Sequence, residues 1–201
     1  MIRKLLSMKQ HVDKISRSAF YYLRQLRVIR KSLTTKACEA LVHAFVSSRL
    51  DYCNCLLYGV GETQLKRLQS VLRAAARLVL RKLKYDSISA DIRDRLHWLP
   101  VKQRIEFKIC VLVFKCRSNE APVYLSEMLH AVQRPTRYNL RSDTRLDYDI
   151  PRCSSVRSGP RSFAVSGPTL WNSLPNSLKD CVSLSAFKTG LKAWLFKKAF
   201  G

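Results

Sequence analysis

Apolar residues recur every three or four positions along the first third of the chain, the spacing of one face of an α-helix. The first series predicts a helix from about residue 12 to residue 33. It comprises Val12, Ile15, Ala19, Tyr22, Leu26, Ile29 and Leu33. A second helix is expected to begin at Thr34 or Thr35, since threonine is a good N-cap residue. Thr63 is expected to cap a third helix, whose apolar face comprises Leu65, Leu68, Leu72, Ala75 and Val79.

The middle of the chain predicts further helices. Ser87 or Ser89 is expected to cap a short one. Pro100 suits the first position of the next helix, whose centre, ICVLVF, is apolar nearly all round and is therefore expected to be buried. Asn119 is expected to end this helix, and Pro122 to start a shorter one.

From residue 133 to residue 167 the pattern breaks down, because prolines, glycines and arginines interrupt any helical periodicity. Residues 162–165, SFAV, are interpreted as a short strand. Helical spacing returns around Trp171, and a last helix is expected to begin at Ser183 or Ser185. The fold class predicted is mainly α: an N-terminal helical bundle, then a mostly helical tail with an irregular Arg/Pro-rich segment and possible short strands.

Charge is the feature that bears most on function. The 201 residues include 37 Lys and Arg against 14 Asp and Glu, a formal net charge of +23. A chain this basic attracts polyanions through Coulomb forces and counterion release. Two predicted helices carry their cations opposite the apolar face, where a solvated helix normally mixes both signs.

The candidate nucleic-acid-binding residues are the cations on these faces and three arginines of the irregular segment. They are Arg17, Arg24, Arg27, Lys31, Lys66, Arg73, Arg77, Arg81, Lys84, Arg137, Arg141 and Arg145. The first helix also carries Lys9 on this side. For the irregular segment, arginines interleaved with tyrosines are typical of residues that grip phosphates and stack on bases. A mobile basic loop, or short strands, with no sequence preference fits equally well.

Several kinds of site have weak or no support. No two aspartates are adjacent, so no carboxylate cluster is evident that would hold two metal ions for phosphoryl transfer, and no metal or cofactor is predicted. The seven cysteines are expected to be free thiols; the spacing of Cys53 and Cys55 is too short for the usual zinc pattern, although zinc is the sharper alternative.

The last helix could lie on a membrane surface, but a docking helix is more common and no membrane partner is predicted. With no signal peptide recognised, an intracellular location, nucleus or cytoplasm, is expected.

Six segments in order carry a resemblance to a known family. They are RLDYCNCLLYGV, LQSVLRAAARLVL, LHWLPVKQRIEFKICVLVFK, APVYLSEML, GPRSFAVSGPTLWNSLPNSLK and LSAFKTGLKAWLF. Together they resemble the region downstream of the polymerase core in LINE-like non-LTR retrotransposon reverse transcriptases. The opening QHVDKISRSAFYYLRQLRVIRKSL is similar to the first helix after that family's palm. The family's paired catalytic aspartates match nothing here, so no catalytic residue is assigned and no enzyme activity is expected.

The resemblance implies a polymerase thumb, a helical bundle that grips the template–primer duplex through its backbone. Residues 1–85 are then the thumb-like basic bundle, 86–132 a helical tail, and 133–201 the Arg-rich irregular segment with a C-terminal helix. RNA or DNA is the expected partner, through phosphate contacts, with a polymerase palm in the same or another chain as a further partner. Two alternatives stay open: a protein-interaction module recruited from a retroelement remnant, or a non-functional fragment.

Overall fold

A computed structural model describes residues 8–132, 147–153 and 159–201. The described chain is mainly helical, which confirms the predicted fold class. The helices are α1 (Lys9–Ile29), α2 (Thr35–Val42), α3 (Ser48–Asp51), α4 (Glu62–Val79), α5 (Ser89–Asp94), α6 (Val101–Arg117), α7 (Val123–Ser126), α8 (Phe163–Asn172), α9 (Asn176–Lys179) and α10 (Leu184–Phe200). A π-helical turn, His43–Ser47, joins α2 to α3, and 3-10 turns lie at Arg30–Ser32, Asn54–Leu57 and Gly159–Arg161.

The chain divides into two compact units. The first comprises the chain up to Ile105 together with Ala199–Gly201, and the second comprises Glu106–Lys198. The first unit extends beyond residue 85 because α5 and the turn after it contact the earlier helices: Lys82 pairs with Asp91, and the Trp98 indole nitrogen donates to Glu39 at 3.3 Å. The predicted three-part division into bundle, tail and irregular segment stays a prediction.

The core of the first unit lies between α1, α4 and the α2–α3 segment. The buried residues of α1 keep the helical spacing predicted from the sequence and are Val12, Ile15, Ala19, Leu23 and Leu26. The facing residues of α4 include Leu68, Leu72, Ala75 and Val79. The Thr34 hydroxyl accepts from the Ala37 amide at 3.2 Å and caps α2, as predicted. The predicted cap at Thr63 is wrong, because α4 begins at Glu62 with Gly61 in the N-cap position.

The core of the second unit is aromatic. Phe114 of α6 stacks on Phe187 of α10 with ring centroids 4.5 Å apart, and Trp171 of α8 lies 5.7 Å from the same ring. The predicted burial of the ICVLVF stretch is confirmed at five of its six residues, and α6 ends before Asn119, which adopts the left-handed conformation at φ 55°.

Residues Ser162–Val165 do not form a strand, so that prediction is wrong. Phe163 begins α8, and the Ser166 amide donates to the Ser162 carbonyl at 2.8 Å. Gly167 lets this helix lie close to α6, since a Cβ there would be 3.1 Å from Val113 Cγ2. Within the described residues, sheet-like pairing is limited to an isolated antiparallel bridge between Ala131 and Tyr148.

Candidate nucleic-acid interface

The two longest helices of the first unit, α1 and α4, lie side by side and run in the same direction. Near their N-termini the Arg67 guanidinium of α4 pairs with the Asp13 carboxylate of α1. Near their C-termini Arg30, just after α1, donates to the Leu78 and Val79 carbonyls of α4. The inward faces of both helices are apolar, so their polar faces point outward and form one side of the unit.

This outward surface carries cations that no carboxylate neutralises. Each helix contains a single acid, Asp13 in α1 and Glu62 in α4. Six of the predicted binding residues on α1, on the turn that follows it and on α4 are exposed and make no ion pair with any described residue. They are Arg17, Arg24, Arg27, Lys31, Lys66 and Arg73. Unpaired guanidinium and ammonium groups on a rigid surface can bind phosphate oxygens without first breaking an internal contact.

A groove of about 470 Å³ runs between the outward faces of α1 and α4. It is lined by Asp13, Ser16, Arg17, Phe20 and Arg24 of α1, with Arg67 and Ser70 of α4. The groove brings together two predicted site residues, Arg17 and Arg24. It adds Arg67, which the sequence analysis missed. Arg67 is adjacent in sequence to Lys66 and therefore lies about 100° away around α4, on the side toward α1.

The other flank of α4 borders a second depression of about 460 Å³. Lys66 and Arg73 line it, together with Lys102 from the start of α6. Gln69 fixes the entry of α6 here, since its side-chain oxygen accepts from the Val101 amide at 2.9 Å. Lys66 and Arg73 are seven residues apart, so they lie on nearly the same line along α4 and form a ridge between the two depressions. Lys102 is a further cation that helical periodicity did not indicate, because it comes from a different helix.

The cations predicted opposite the apolar face of α4 do not all lie on one helix face. The helix ends at Val79, and Arg81 adopts a left-handed backbone with φ 55°. Arg77 is partly buried, and its guanidinium donates to the Asp86 carbonyl from Nε at 3.1 Å and from Nη2 at 3.0 Å. Arg81 donates to the Leu33 carbonyl at 3.4 Å, and Lys84 lies over the Tyr85 ring. The helical ridge is therefore formed by Lys66 and Arg73.

One cation of this region is structural. The Arg30 side chain is buried, and it donates from Nε to Leu78 O at 2.8 Å, from Nη2 to Val79 O at 2.7 Å and from Nη1 to Leu33 O at 2.8 Å. The last carbonyls of a helix lack partners within that helix, and the helix dipole makes its C-terminus negative. Arg30 supplies both the donors and the positive charge for the end of α4.

Three of the predicted site residues, Arg137, Arg141 and Arg145, lie outside the described residues. All seven cysteines lie in the described part of the chain, and each is a free thiol. Among the residues 8–132, 147–153 and 159–201, no group of three His, Cys, Asp or Glu side chains is placed to hold a metal ion. None of the helices described there is long and apolar enough to cross a membrane.

Comparison with known proteins finds no matching family model, no matching curated protein and no matching solved structure.

Proposed function

We propose that this chain is a non-catalytic nucleic-acid-binding protein that grips the sugar–phosphate backbone of a template–primer duplex without reading its sequence. In this proposal it corresponds to the thumb and downstream tail of a LINE-like non-LTR retrotransposon reverse transcriptase. The six ordered segments of resemblance support the proposed origin from a retrotransposon reverse transcriptase. The outward surface of α1 and α4 supports binding through the sugar–phosphate backbone.

The observation that carries the proposal is the uncompensated charge on that surface. Elsewhere in the same unit acids are matched to cations, as in Asp51 with Arg104 at 2.8 Å and Asp91 with Lys82. On the outer faces of α1 and α4 Arg67 has a carboxylate partner, whereas Arg17, Arg24, Arg27, Lys66 and Arg73 make no ion pair with a described carboxylate. Concentrating unpaired cations on one side raises the local electrostatic potential there, which favours a polyanion over a small acidic ligand.

The geometry favours phosphate contacts over base recognition. The exposed cations are lysines and arginines spaced along two rigid helices, and such side chains position a protein on the duplex by contacting phosphate oxygens. Contacts of this kind depend steeply on salt, because each neutralised phosphate releases condensed counterions. The proposal therefore requires binding that is insensitive to base sequence and sensitive to ionic strength.

The test measures fluorescence anisotropy of a labelled mixed-sequence RNA–DNA duplex between about 0.05 and 0.3 M salt. We expect the double variant Lys66→Gln with Arg73→Gln to bind about tenfold or more weakly at 0.1 M salt, with a log–log salt slope lower by about two. The matched control is Lys188→Gln with Lys192→Gln, which removes the same charge from exposed positions of α10. Absence of binding by the unmodified chain would refute the proposal, as would divalent-dependent nucleotide incorporation.

A second candidate function, docking of a partner protein such as a polymerase palm, is favoured by exposed apolar side chains in the first unit. Val28 of α1 is 80% exposed, and Leu83 and Tyr85 after α4 are 75% and 88% exposed. Leu83 and Tyr85 lie two residues apart, and contiguous exposed apolar surface marks interaction sites. Association with a protein that persists at high salt and is lost in Leu83→Ser with Tyr85→Ser would favour this candidate.

A further inference from the structure

We propose that the groove between α1 and α4 binds the backbone of one nucleic-acid strand, and that a phosphate of that strand displaces Asp13 from Arg67. This inference rests on the proposed function and assigns it a site. The ligand class is a chain of linked phosphodiesters, rather than a single free phosphate.

The spacing of the groove arginines suits two nearby phosphates of one strand. Arg17 and Arg24 are seven residues apart on α1, which places them about 10.5 Å apart along the helix axis. Each strand of a duplex rises about 3.4 Å per nucleotide along the duplex axis and also winds around that axis, so neighbouring phosphates are farther apart along the strand itself than this rise. A strand lying along α1 would therefore present phosphates about two nucleotides apart to the two guanidinium groups. Neither arginine has a carboxylate partner among the described residues, so both are free to contact it.

Two further side chains of the groove, Phe20 and Ser16, can contact a nucleic-acid strand. Phe20 lies between the two arginines in sequence and is 38% exposed, so one side of its ring can contact a sugar or a base. The Ser16 hydroxyl is buried and has no hydrogen-bond partner in the described chain. A buried hydroxyl without a partner is costly, and a phosphate oxygen entering the groove would accept a hydrogen bond from it.

Asp13 is the one carboxylate among the described residues lining this groove, and it holds Arg67. The Arg67 side chain is largely exposed, and ion pairs of exposed groups are weak because water screens them. A phosphate carries the same charge as the Asp13 carboxylate and can replace it at Arg67. The ion pair therefore lowers the affinity of the groove for a strand. It also holds the Arg67 guanidinium at the groove.

The first experiment compares duplex binding of Asp13→Asn with that of Arg17→Gln combined with Arg24→Gln. Asp13→Asn is expected to bind about fivefold more tightly, with a salt slope steeper by about one, because the phosphate then contacts Arg67 without having to displace a carboxylate. The arginine double variant is expected to bind more than about tenfold more weakly, with a slope shallower by about two. Glu127→Gln removes one negative charge outside the groove and is the control for overall charge.

A double-mutant cycle separates release of Arg67 from a general charge effect. Arg67→Gln alone is expected to change affinity less than twofold, because the phosphate contact that it removes is offset by the Asp13 ion pair that no longer has to be broken. It is also expected to abolish the gain of Asp13→Asn. A gain that persists in the Asp13→Asn, Arg67→Gln double variant, or that Glu127→Gln reproduces, would overturn the displacement. Circular dichroism melts of each variant establish that the fold is intact, and Arg17→Lys with Arg24→Lys is expected to restore most of the affinity.

A competition experiment distinguishes the two sources of phosphate. Inorganic phosphate at about 10 mM and fixed ionic strength is expected to change the duplex affinity less than twofold, since a single phosphate cannot contact both arginines. Strong competition would overturn the strand site in favour of a simple anion site. If the duplex binds but only the Lys66 and Arg73 variants weaken it, the groove assignment fails while the proposed function stands. If the unmodified chain does not bind, the proposed function itself fails.

Discussion

Arg30 shows that a cation in a basic sequence can belong to the core rather than to the surface. Its neighbour Lys31 is exposed, although the two residues carry the same charge and follow the same helix. The difference lies in position: Arg30 lies where the carbonyls of Leu78 and Val79 lack partners within α4. Its planar guanidinium serves three carbonyls at once, which a lysine ammonium cannot do with the same geometry.

We therefore predict that Arg30→Gln destabilises the protein by about 3 kcal/mol, because two buried carbonyls and one partly buried carbonyl lose a charged donor. Lys31→Gln, one residue away and exposed, is expected to change the free energy of unfolding by less than about 0.5 kcal/mol. Urea denaturation followed by circular dichroism measures both. Equal effects of the two substitutions would show that the Arg30 hydrogen bonds contribute little.

The Cys110 thiol is a second residue whose chemistry is set by burial. Burial in α6 raises the pKa of Cys110 to about 12, and the nearby Glu106 carboxylate adds to the effect. At pH 8 roughly one Cys110 in 10,000 is then a thiolate, the form that reacts with alkylating agents. Iodoacetamide treatment of the native protein is expected to modify the exposed Cys53 and Cys153 and to spare Cys110, as read by mass spectrometry of the peptides.

The same shift predicts a pH dependence of stability. The folded thiol keeps its proton to higher pH than the unfolded thiol, whose ordinary pKa is 9.0. The contribution of Cys110 to stability is therefore complete below about pH 9 and is lost as the pH rises toward 12. Cys110→Ala is expected to lose less stability than the unmodified protein between pH 8 and pH 10, on urea denaturation at each pH. An identical loss of stability in the variant and the unmodified protein would contradict the raised pKa of Cys110.

At the scale of elements, α5 is tied to the end of α4 by Asp91. Its carboxylate accepts from Lys82 in the turn after α4 and from Arg95 just after α5. The hydrogen bond from Lys82, with the charges of Lys82 and Arg95, lowers the pKa of Asp91 below its ordinary value of 3.8. This interaction is therefore complete above about pH 4 and is lost as the pH falls through the lowered pKa of the folded state.

We predict that the unmodified protein loses more stability between pH 5 and pH 3 than Asp91→Asn does. The variant has no carboxylate to protonate at this position, so its pH dependence should be shallower. Thermal melts at both pH values provide the comparison, and Asp180→Asn, an exposed position at the end of α9, is the matched control. The assignment fails if the two aspartate variants show the same pH dependence.

The long helices could be predicted from the sequence because burial of one helix face requires apolar residues at every third or fourth position. In α1 the spacing of Val12, Ile15, Ala19 and Leu26 matches the buried residues. The interpretation of Ser162–Val165 as a strand failed because a short apolar run fits either structure, and Gly167 indicated a break in any helix. In the structure Gly167 allows α8 to approach Val113, a tertiary contact that local pattern does not encode.

The candidate site could be predicted in part for the same reason. Arg17, Arg24, Lys66 and Arg73 follow from helical periodicity alone, since they lie opposite the apolar faces. Periodicity could not show that the Arg77 guanidinium is occupied, because its hydrogen-bond acceptor, the Asp86 carbonyl, lies beyond the end of α4. Arg67 required knowing which helix lies beside α4, because only its contact with Asp13 places it in the groove.

At the scale of the whole molecule, the distribution of acids matters more than their number. The formal net charge is +23, yet in the described chain Asp51, Asp91, Asp94 and Glu106 each pair with a neighbouring lysine or arginine. Acids used in this way stabilise local contacts and do not neutralise the outer surfaces. The remaining cations repel one another in the folded state, where they are held closer together than in the unfolded chain.

Salt is therefore expected to act in opposite directions on stability and on binding. Raising sodium chloride from about 0.05 to 0.5 M shortens the range of charge repulsion to a few ångströms, so the free energy of unfolding should rise on the order of 1 kcal/mol. Duplex affinity should fall steeply over the same range. Lys66→Gln with Arg73→Gln lowers the net charge by two, so its stability should gain less from salt than that of the unmodified protein. Urea denaturation at each salt concentration tests this, and a stability that falls with salt would mean that the ion pairs of Asp51 and Asp91 outweigh the repulsion among the unpaired cations.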